Sequence, residues 1–352
     1  MTISNLTEAG FEAQQAAEGQ ETAGRVEGRT QWQLTWRRLR GDKVSVIALA
    51  VIVIMVILAI AAPAFAAITG HGVNTSYPNT GENAYGNPVG PGVNGFFLGT
   101  DSTGRDVFVR ILYGARISLF VGVVSTAIAT VLGVVIGLMA GYFGGFIDTV
   151  LARLTDAVLA FPYVILAIAL AVVFGPSLTV IMVMVTFFSW AGIARIVRGQ
   201  TLSIKEKEYI EAARSLGAGP FRIMFLDILP NLLAPVLVIA TLLIPNAIVF
   251  EATLSFLGLG IQPPTPSWGN MLADASNSYQ VAWWYLAFPA LFLLITTLAF
   301  NLLGDGIRDA MDPRTERLLA ARRMRKQRAK ARKNATQSGV GPGQAIPDTV
   351  NG

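Results

Sequence analysis

Charge is scarce in this chain, so recognition chemistry is confined to the few places where charged and small polar residues gather. The densest runs from residue 199 to 231, where Glu206, Glu208, Glu211 and Asp227 are interleaved with Lys205, Lys207, Arg214 and Arg222 around the tract Glu211-Ala212-Ala213. Such groups form ion pairs and charge-assisted hydrogen bonds, and small alanines between them let a second surface approach closely. Gly217 and then Leu229-Pro230 punctuate the tract. Two readings are open for it: a docking surface, or a generic amphipathic loop.

A second cluster reads Gly99-Thr100-Asp101 and then Gly104-Arg105-Asp106. Its glycines permit backbone conformations that other residues resist, and its charges form a compact hydrogen-bonding set. It fits a structural turn whose aspartate caps the following helix, or direct contact with a partner or gate. Glu251 stands alone at the end of an apolar run, and a buried carboxylate costs roughly 2.5 to 3.5 kcal/mol on membrane-insertion scales. It either lies at the interface or serves a path or gate.

Other chemistries are excluded by composition. There is no cysteine, hence no disulfide or thiolate metal site, and His71 is the lone histidine. A Gly-rich loop ending in Lys and Ser or Thr is absent, so this chain is expected neither to bind nor to hydrolyse ATP, and no catalytic residue, metal or cofactor of its own is assigned.

The elements that must position these clusters are membrane spans. Of the 352 residues 53% are hydrophobic and only 14% charged, which is too apolar for an ordinary soluble domain. A spanning helix needs about 20 apolar residues. Six segments qualify: Val44 to Ile68, Ile117 to Tyr142, two within the charge-free run from Ala157 to Ala194 that Gly175-Pro176-Ser177 divides, Leu232 to Phe250, and Trp284 to Leu303. Prolines 63, 162, 235, 245 and 289 are kinks that neighbouring helices can accommodate. A cleavable signal ending near Ala64-Phe65-Ala66 is disfavoured, because the apolar run and its polar leader are both too long.

With the N-terminus in the cytoplasm, all of the 27 Lys and Arg fall inside except Arg105, Arg110 and Arg116. The positive-inside rule therefore places both termini in the cytoplasm. The expected organisation is a cytoplasmic tail (1–43), a first span (44–68), an outer loop (69–116), a five-helix core (117–303) and a basic cytoplasmic tail (304–352). The 199–231 tract then lies inside, as a helix from Ile204 to Leu216 ended by Gly217 and a second short helix from Phe221 to Leu229 ended by Pro230. The outer segment from Leu254 to Asn270, apolar but broken by Gly and Pro, reads as re-entrant, with Trp268, Trp283 and Trp284 in the interfacial belt. Residues 1–30 read as disordered, and the basic stretch 317–333 as a solvated helix that contacts anionic lipid at about 1 kcal/mol per basic residue, in preference to nucleic acid.

Glu211-Ala212-Ala213, Gly217 and Pro230 at this spacing resemble the EAA loop of permease subunits of ATP-binding-cassette importers, with a departure at Asp227-Ile228. The two glycine-aspartate clusters, the run Leu254 to Gly260 with Pro263-Pro264, and Asn301-Leu302-Leu303-Gly304-Asp305 with Arg308-Asp309 and Asp312-Pro313 resemble the second permease of dipeptide, oligopeptide and nickel importers. The likeness covers roughly residues 35 to 318. It implies an all-α membrane protein with the type I importer permease fold, six transmembrane helices in all, in the cytoplasmic membrane of a bacterium. The implied partners are a homologous second permease in a heterodimer, two ATPase subunits that hold ATP and magnesium, and an extracytoplasmic binding protein that delivers peptide. Membrane lipid surrounds the assembly, and no nucleic acid is involved.

On that resemblance Glu208, Glu211, Ala212, Ala213, Gly217 and Pro230 couple the chain to an ATPase. Gly99, Asp101, Gly104, Arg105, Asp106, Glu251, Asp305, Arg308 and Asp309 are gate or structural residues. Nickel chelates, glutathione and haem are the alternative substrates within the family. A secondary transporter, which would want ionisable residues at mid-membrane, and a channel, which needs no docking loop, are the readings outside it.

Overall fold

The protein is described from a computed structural model over residues 31–311, and the readings made for 1–30, for Asp312-Pro313 and for 317–333 fall outside that range. Every regular element among the described residues is helical. Short α1 (Gln31–Gly41) leads into α2 (Lys43–Ile60), α3 (Ala62–Thr69) and α4 (Pro78–Gly81). The bundle follows: α5 (Val107–Phe143), α6 (Gly145–Ala160), α7 (Tyr163–Phe174), α8 (Leu178–Ile204), α9 (Glu208–Ser215), α10 (Pro220–Phe256), α11 (Trp268–Ala275) and α12 (Trp283–Met311). Five of these are long and apolar enough to cross a membrane: α2, α5, α8, α10 and α12. The pair α6 and α7, bent by 84° where they meet, is a candidate for a sixth crossing if taken together as one broken span.

Polar caps mark where the long helices begin. Asp42 accepts from the amides of Val44 and Ser45 at the start of α2, and its hydrogen bonds from Ser45, hydroxyl and amide, hold its carboxyl below the usual range. Asp106 accepts from Val109 N at the start of α5, and Ser177 from Val180 N at the start of α8. Within the first apolar stretch the helix stops at Ile60 and restarts at Ala62, next to Pro63, whose ring nitrogen has no hydrogen to donate. On the far side the loop ends at Asp106 rather than Arg116, so α5 carries Arg110 and Arg116 in its first turns.

The expectation of a separate short helix from Phe221 to Leu229 stopped by Pro230 is corrected. The helix runs unbroken from Pro220 to Phe256 because residues Ile223–Ile228 open into a π-turn, with Leu229 N donating to Met224 O. That extra residue per turn absorbs the ring of Pro230, where an α-turn would clash with it.

Packing is organised by α5 against α8. A Cβ at Gly133 would lie 2.7 Å from Ile193 Cβ, at Gly137 2.6 Å from Ala194 O, and at Gly141 2.6 Å from Thr201 Cβ. As the glycines advance by four along α5, their contacts advance by four along α8, so the two helices run parallel with backbones in near contact. A parallel pair forces the intervening chain to come back, roughly 35 Å along the bundle at 1.5 Å per residue. Twelve-residue α7 spans about 18 Å of it. The oblique α6 covers the remainder, tied to α8 by Asp148–Arg198 at 2.5 Å and Asp156–Arg195 at 2.5 Å.

Around this pair, α10 packs on α5, α8 and α12, while α2 closes the bundle against α12 and α5. Arg38 of α1 donates to Ala310 O at 3.0 Å, which covers a free carbonyl at the end of α12. Ile47, Ile54, Ile57 and Ile60 of α2 face outward, a surface suited to lipid or to a neighbouring helix. Gly137→Leu is expected to cost about 1 to 3 kcal/mol by overpacking an interface made of backbone. It should lower the thermal unfolding midpoint in detergent, whereas Gly192→Ala, where an added Cβ meets nothing within 4 Å, should leave the midpoint unchanged or raised.

Candidate functional site

Three polar assemblies come from the residues singled out by sequence, and they lie at opposite ends of the bundle. The first is α9. Ile210 is its single fully buried side chain, set into a cluster with Val158, Ile193, Val197, Ile204, Ile223 and Ile228. Arg214 stacks its guanidinium 5.6 Å over the ring of Tyr142, at the end of α5. Glu208, Glu211 and Ala212 are exposed, while Ala213 is half-buried against the same cluster.

The end of α9 is fixed by Gly217. Ala218 N donates to Ala213 O at 3.0 Å and Gly217 N to Arg214 O at 2.9 Å, the paired bonds of a left-handed helix stop, and Gly217 supplies the φ of +81° it needs. A Cβ there would meet nothing within 4 Å, so the chain itself leaves the space in front of Gly217 open. Beside it stand exposed apolar groups, Leu216 at 89% and Phe221 at 71%, with Phe225 and Leu226. Pro230 is exposed in α10.

The second assembly ties the far-side loop to the bundle. Asp101 is fully buried, and its Oδ1 accepts from Thr103 N at 2.9 Å, Thr103 Oγ1 at 2.9 Å and Arg105 N at 3.0 Å. Its Oδ2 accepts from Arg105 Nε at 2.6 Å and lies 3.4 Å from Arg110 Nε. Arg110, almost wholly buried, also donates to Val73 O and Asn74 Oδ1, both at 3.3 Å. Asp106 caps α5 and meets His71 Nδ1 at 2.6 Å, while the imidazole stacks 4.4 Å from Phe96. Gly99, at φ +78°, lies against Trp284, whose indole donates to Thr100 O at 3.1 Å, and Gly104 takes φ +70° in the same turn. The helix-cap reading of this motif describes what Asp106 does in the structure.

Glu251 forms the third. It is 0% exposed, near the end of α10, and accepts from Ser118 Oγ of α5 at 2.9 Å and from Ser255 Oγ at 2.8 Å. The Ser255 oxygen in turn accepts from Ile261 N at 3.1 Å, so the carboxylate also anchors the apolar segment that folds back over the bundle. The carboxyl group is thus enclosed by protein.

The structure does not join all the expected groups. Asp305, Arg308 and Asp309 sit in the last turns of α12, and Arg308 is roughly 36 Å along that helix from Trp284. They share an end with α9 instead of with Asp101 and Glu251. The tryptophan belt is corrected as well: Trp268 and Trp284 are buried, because their ring N–H groups find carbonyls of Ile111 and Thr100, and of the three only Trp283 is well exposed. Sequence reasoning missed Arg110 and Ser118. Arg110, four residues after Asp106 in an otherwise apolar helix start, carried a readable signal, whereas Ser118 carried none.

Comparison with known proteins places these assemblies in a context. The family described as "Binding-protein-dependent transport system inner membrane component" matches residues 133–317, and "N-terminal TM domain of oligopeptide transport permease C" matches residues 30–84. The oligopeptide transport system permease protein OppC of Escherichia coli (strain K12) is 45% identical over 293 residues, covering 82% of this chain and 93% of the relative. The dipeptide transport system permease protein DppC of Bacillus subtilis (strain 168) is 43% identical over 286 residues, covering 81% and 86%. The glutathione transport system permease protein GsiD of Shigella flexneri serotype 5b (strain 8401) is 43% identical over 286 residues, covering 81% and 91%. Among solved structures, an inward-facing MetNI methionine ABC transporter aligns at 21% identity with a TM-score of 0.48, over 58% of this chain and 96% of that one.

Removing the buried acceptor at position 251 should be felt across α5 and α10. Glu251→Leu strands two buried hydroxyl donors and is expected to destabilise the protein by about 1 to 3 kcal/mol in detergent unfolding, while Glu251→Gln, which keeps an acceptor, should lose less.

Proposed function

Because the chain belongs to the family of binding-protein-dependent transport system inner membrane components, we propose that it is the membrane-spanning permease of an ATP-driven importer and that it passes peptides across a bacterial cytoplasmic membrane. Both chain termini lie in the cytoplasm in this reading, on the side where Lys and Arg concentrate. A homologous permease completes the path, two ATPases hold ATP and magnesium, and an extracytoplasmic protein delivers the substrate. Glutathione, the substrate named for one relative, is itself a tripeptide and falls in the same class.

One observation carries the reading: α9 seats Ile210 in the core and Arg214 over Tyr142, and presents Glu208, Glu211, Ala212 and the open face of Gly217, rimmed by Leu216 and Phe221. An apolar rim beside charged groups suits neither lipid nor bare water, and fits the groove of a soluble partner. Nucleotide-driven motion of the ATPases then biases the spans through this contact, since a ligand shifts an equilibrium only by its differential affinity for the two states. Asp101, Arg105, Asp106 and Glu251 hold the far side as structural supports of a gate, while Asp305, Arg308 and Asp309 belong to the cytoplasmic end.

Gly217 tests the contact. Gly217→Trp should insert normally yet reduce peptide uptake about tenfold or more in proteoliposomes holding the whole complex. Gly217→Asn, which tolerates the left-handed backbone, should lose less. Unchanged uptake by the Trp variant overturns the docking role.

A further inference from the structure

Among the described residues, two concavities on the membrane-spanning surface differ in chemistry. One, about 420 Å³, lies between α5 and α8 and is walled by Ile128, Leu132, Met182, Val183, Phe187 and Trp190 with two threonines. Thr186, one of the two, already donates to Ser125 O at 3.4 Å. The other, about 370 Å³, lies between α7, α8 and α10 and holds Tyr163, Ser189, Asn246 and Thr253 among apolar residues. At roughly 30 Å³ per water this is room for about a dozen waters, within the range of ligand pockets.

The second cavity sits near mid-span, because Ser189 is close to the middle of α8 and Asn246 is within the central part of the crossing α10. Asn246 is exposed there. Its Nδ2 donates to Leu242 O at 3.0 Å, which leaves Oδ1 as an acceptor with no hydrogen bond among the described residues. Thr253 likewise spends its hydroxyl hydrogen on Val249 O at 2.8 Å and keeps acceptor capacity. Exposed amide and hydroxyl groups at that depth are expensive against hydrocarbon and are at home against a polar ligand or water. Three rings form one wall: Tyr163 lies 5.6 Å from Phe250 and 6.3 Å from Phe188. Among the described residues, no carboxylate, guanidinium or ammonium group lines the cavity.

We propose that this cavity is the chain's own share of the translocation path, where Asn246, Ser189 and Thr253 hydrogen-bond the main-chain amides of a peptide while the aromatic wall accepts its side chains. The proposal rests on the peptide-import reading and deepens it. A lining with acceptors and rings but no fixed charge recognises what all peptides share, their amide backbone, and leaves side-chain charge unselected. The groove on α5 and α8 has two threonine hydroxyls but no amide side chain, and its otherwise apolar wall suits lipid or a neighbouring helix.

The test uses the complete transporter in proteoliposomes with radiolabelled trialanine. Asn246→Leu should slow uptake about fivefold or more, and Asn246→Ser, which restores a hydrogen-bonding group, should recover most of it. Val183→Ala in the apolar groove should leave uptake unchanged. Asn246→Asp should shift the uptake ratio of Ala-Lys-Ala to Ala-Glu-Ala in favour of the basic peptide, a change that a purely structural role does not produce. Equal trialanine uptake by wild type and Asn246→Leu, or an unshifted ratio in Asn246→Asp, overturns the proposal and leaves peptide import standing. A wild-type complex that takes up none of these peptides overturns both.

Discussion

The architecture depends on one constraint, the parallel contact of α5 and α8 through Gly133, Gly137 and Gly141. In hydrocarbon no hydrophobic effect draws helices together, so association comes from close van der Waals packing, which three absent side chains permit. Parallel neighbours cannot be joined by a tight turn. The thirty-odd residues between them must recross the bundle, and they do so as two helices meeting at 84°. Tyr163, just past that bend, stands in the wall of the polar cavity.

The far side is held by different physics. Asp101, Arg105 and Arg110 make a charged network at the head of α5, with Asp106 hydrogen-bonded to His71 beside it, and buried Asp101 and Arg110 each face an opposite charge or a carbonyl. Breaking such a pair is costlier than the pair's own contribution, because the remaining charge is left without compensation. The network therefore fixes where the loop sits on the bundle more than it adds stability. Glu251 does the same between α5 and α10, using hydroxyl groups in place of cations.

Much of this was legible from residues alone. Five crossings could be read because each carries a long apolar run, whereas the span expected at the start of 157–194 is a twelve-residue helix bent against α6; Gly217 could be read because a left-handed helix stop favours glycine. Asp106 as a cap was one of two readings, and local spacing supported it. What could not be read depends on partners distant in the chain. Arg110 was one of three stray outer charges until Val73, Asn74 and Asp101 closed around it. Trp268 and Trp284 carried the composition of an interfacial belt, yet carbonyls of Ile111 and Thr100 drew them inside. Asn246 is the sole amide side chain between Leu232 and Phe250, a signal present in the sequence whose meaning required the bend opposite it. Proline at 230 misled because a π-turn, invisible to local pattern, absorbs it.

That π-turn has a rotational consequence. Because α10 is continuous from Pro220 to Phe256, the wider turn at Ile223–Ile228 acts as a phase offset between the end of the helix that adjoins α9 and the rest. One residue corresponds to about 100° around an α-helix. Without the offset, Asn246 and Glu251 would be swung together by that angle, the first away from the cavity and the second away from Ser118. The facing of α10 is thus set near Pro230, several turns from the groups whose directions it determines.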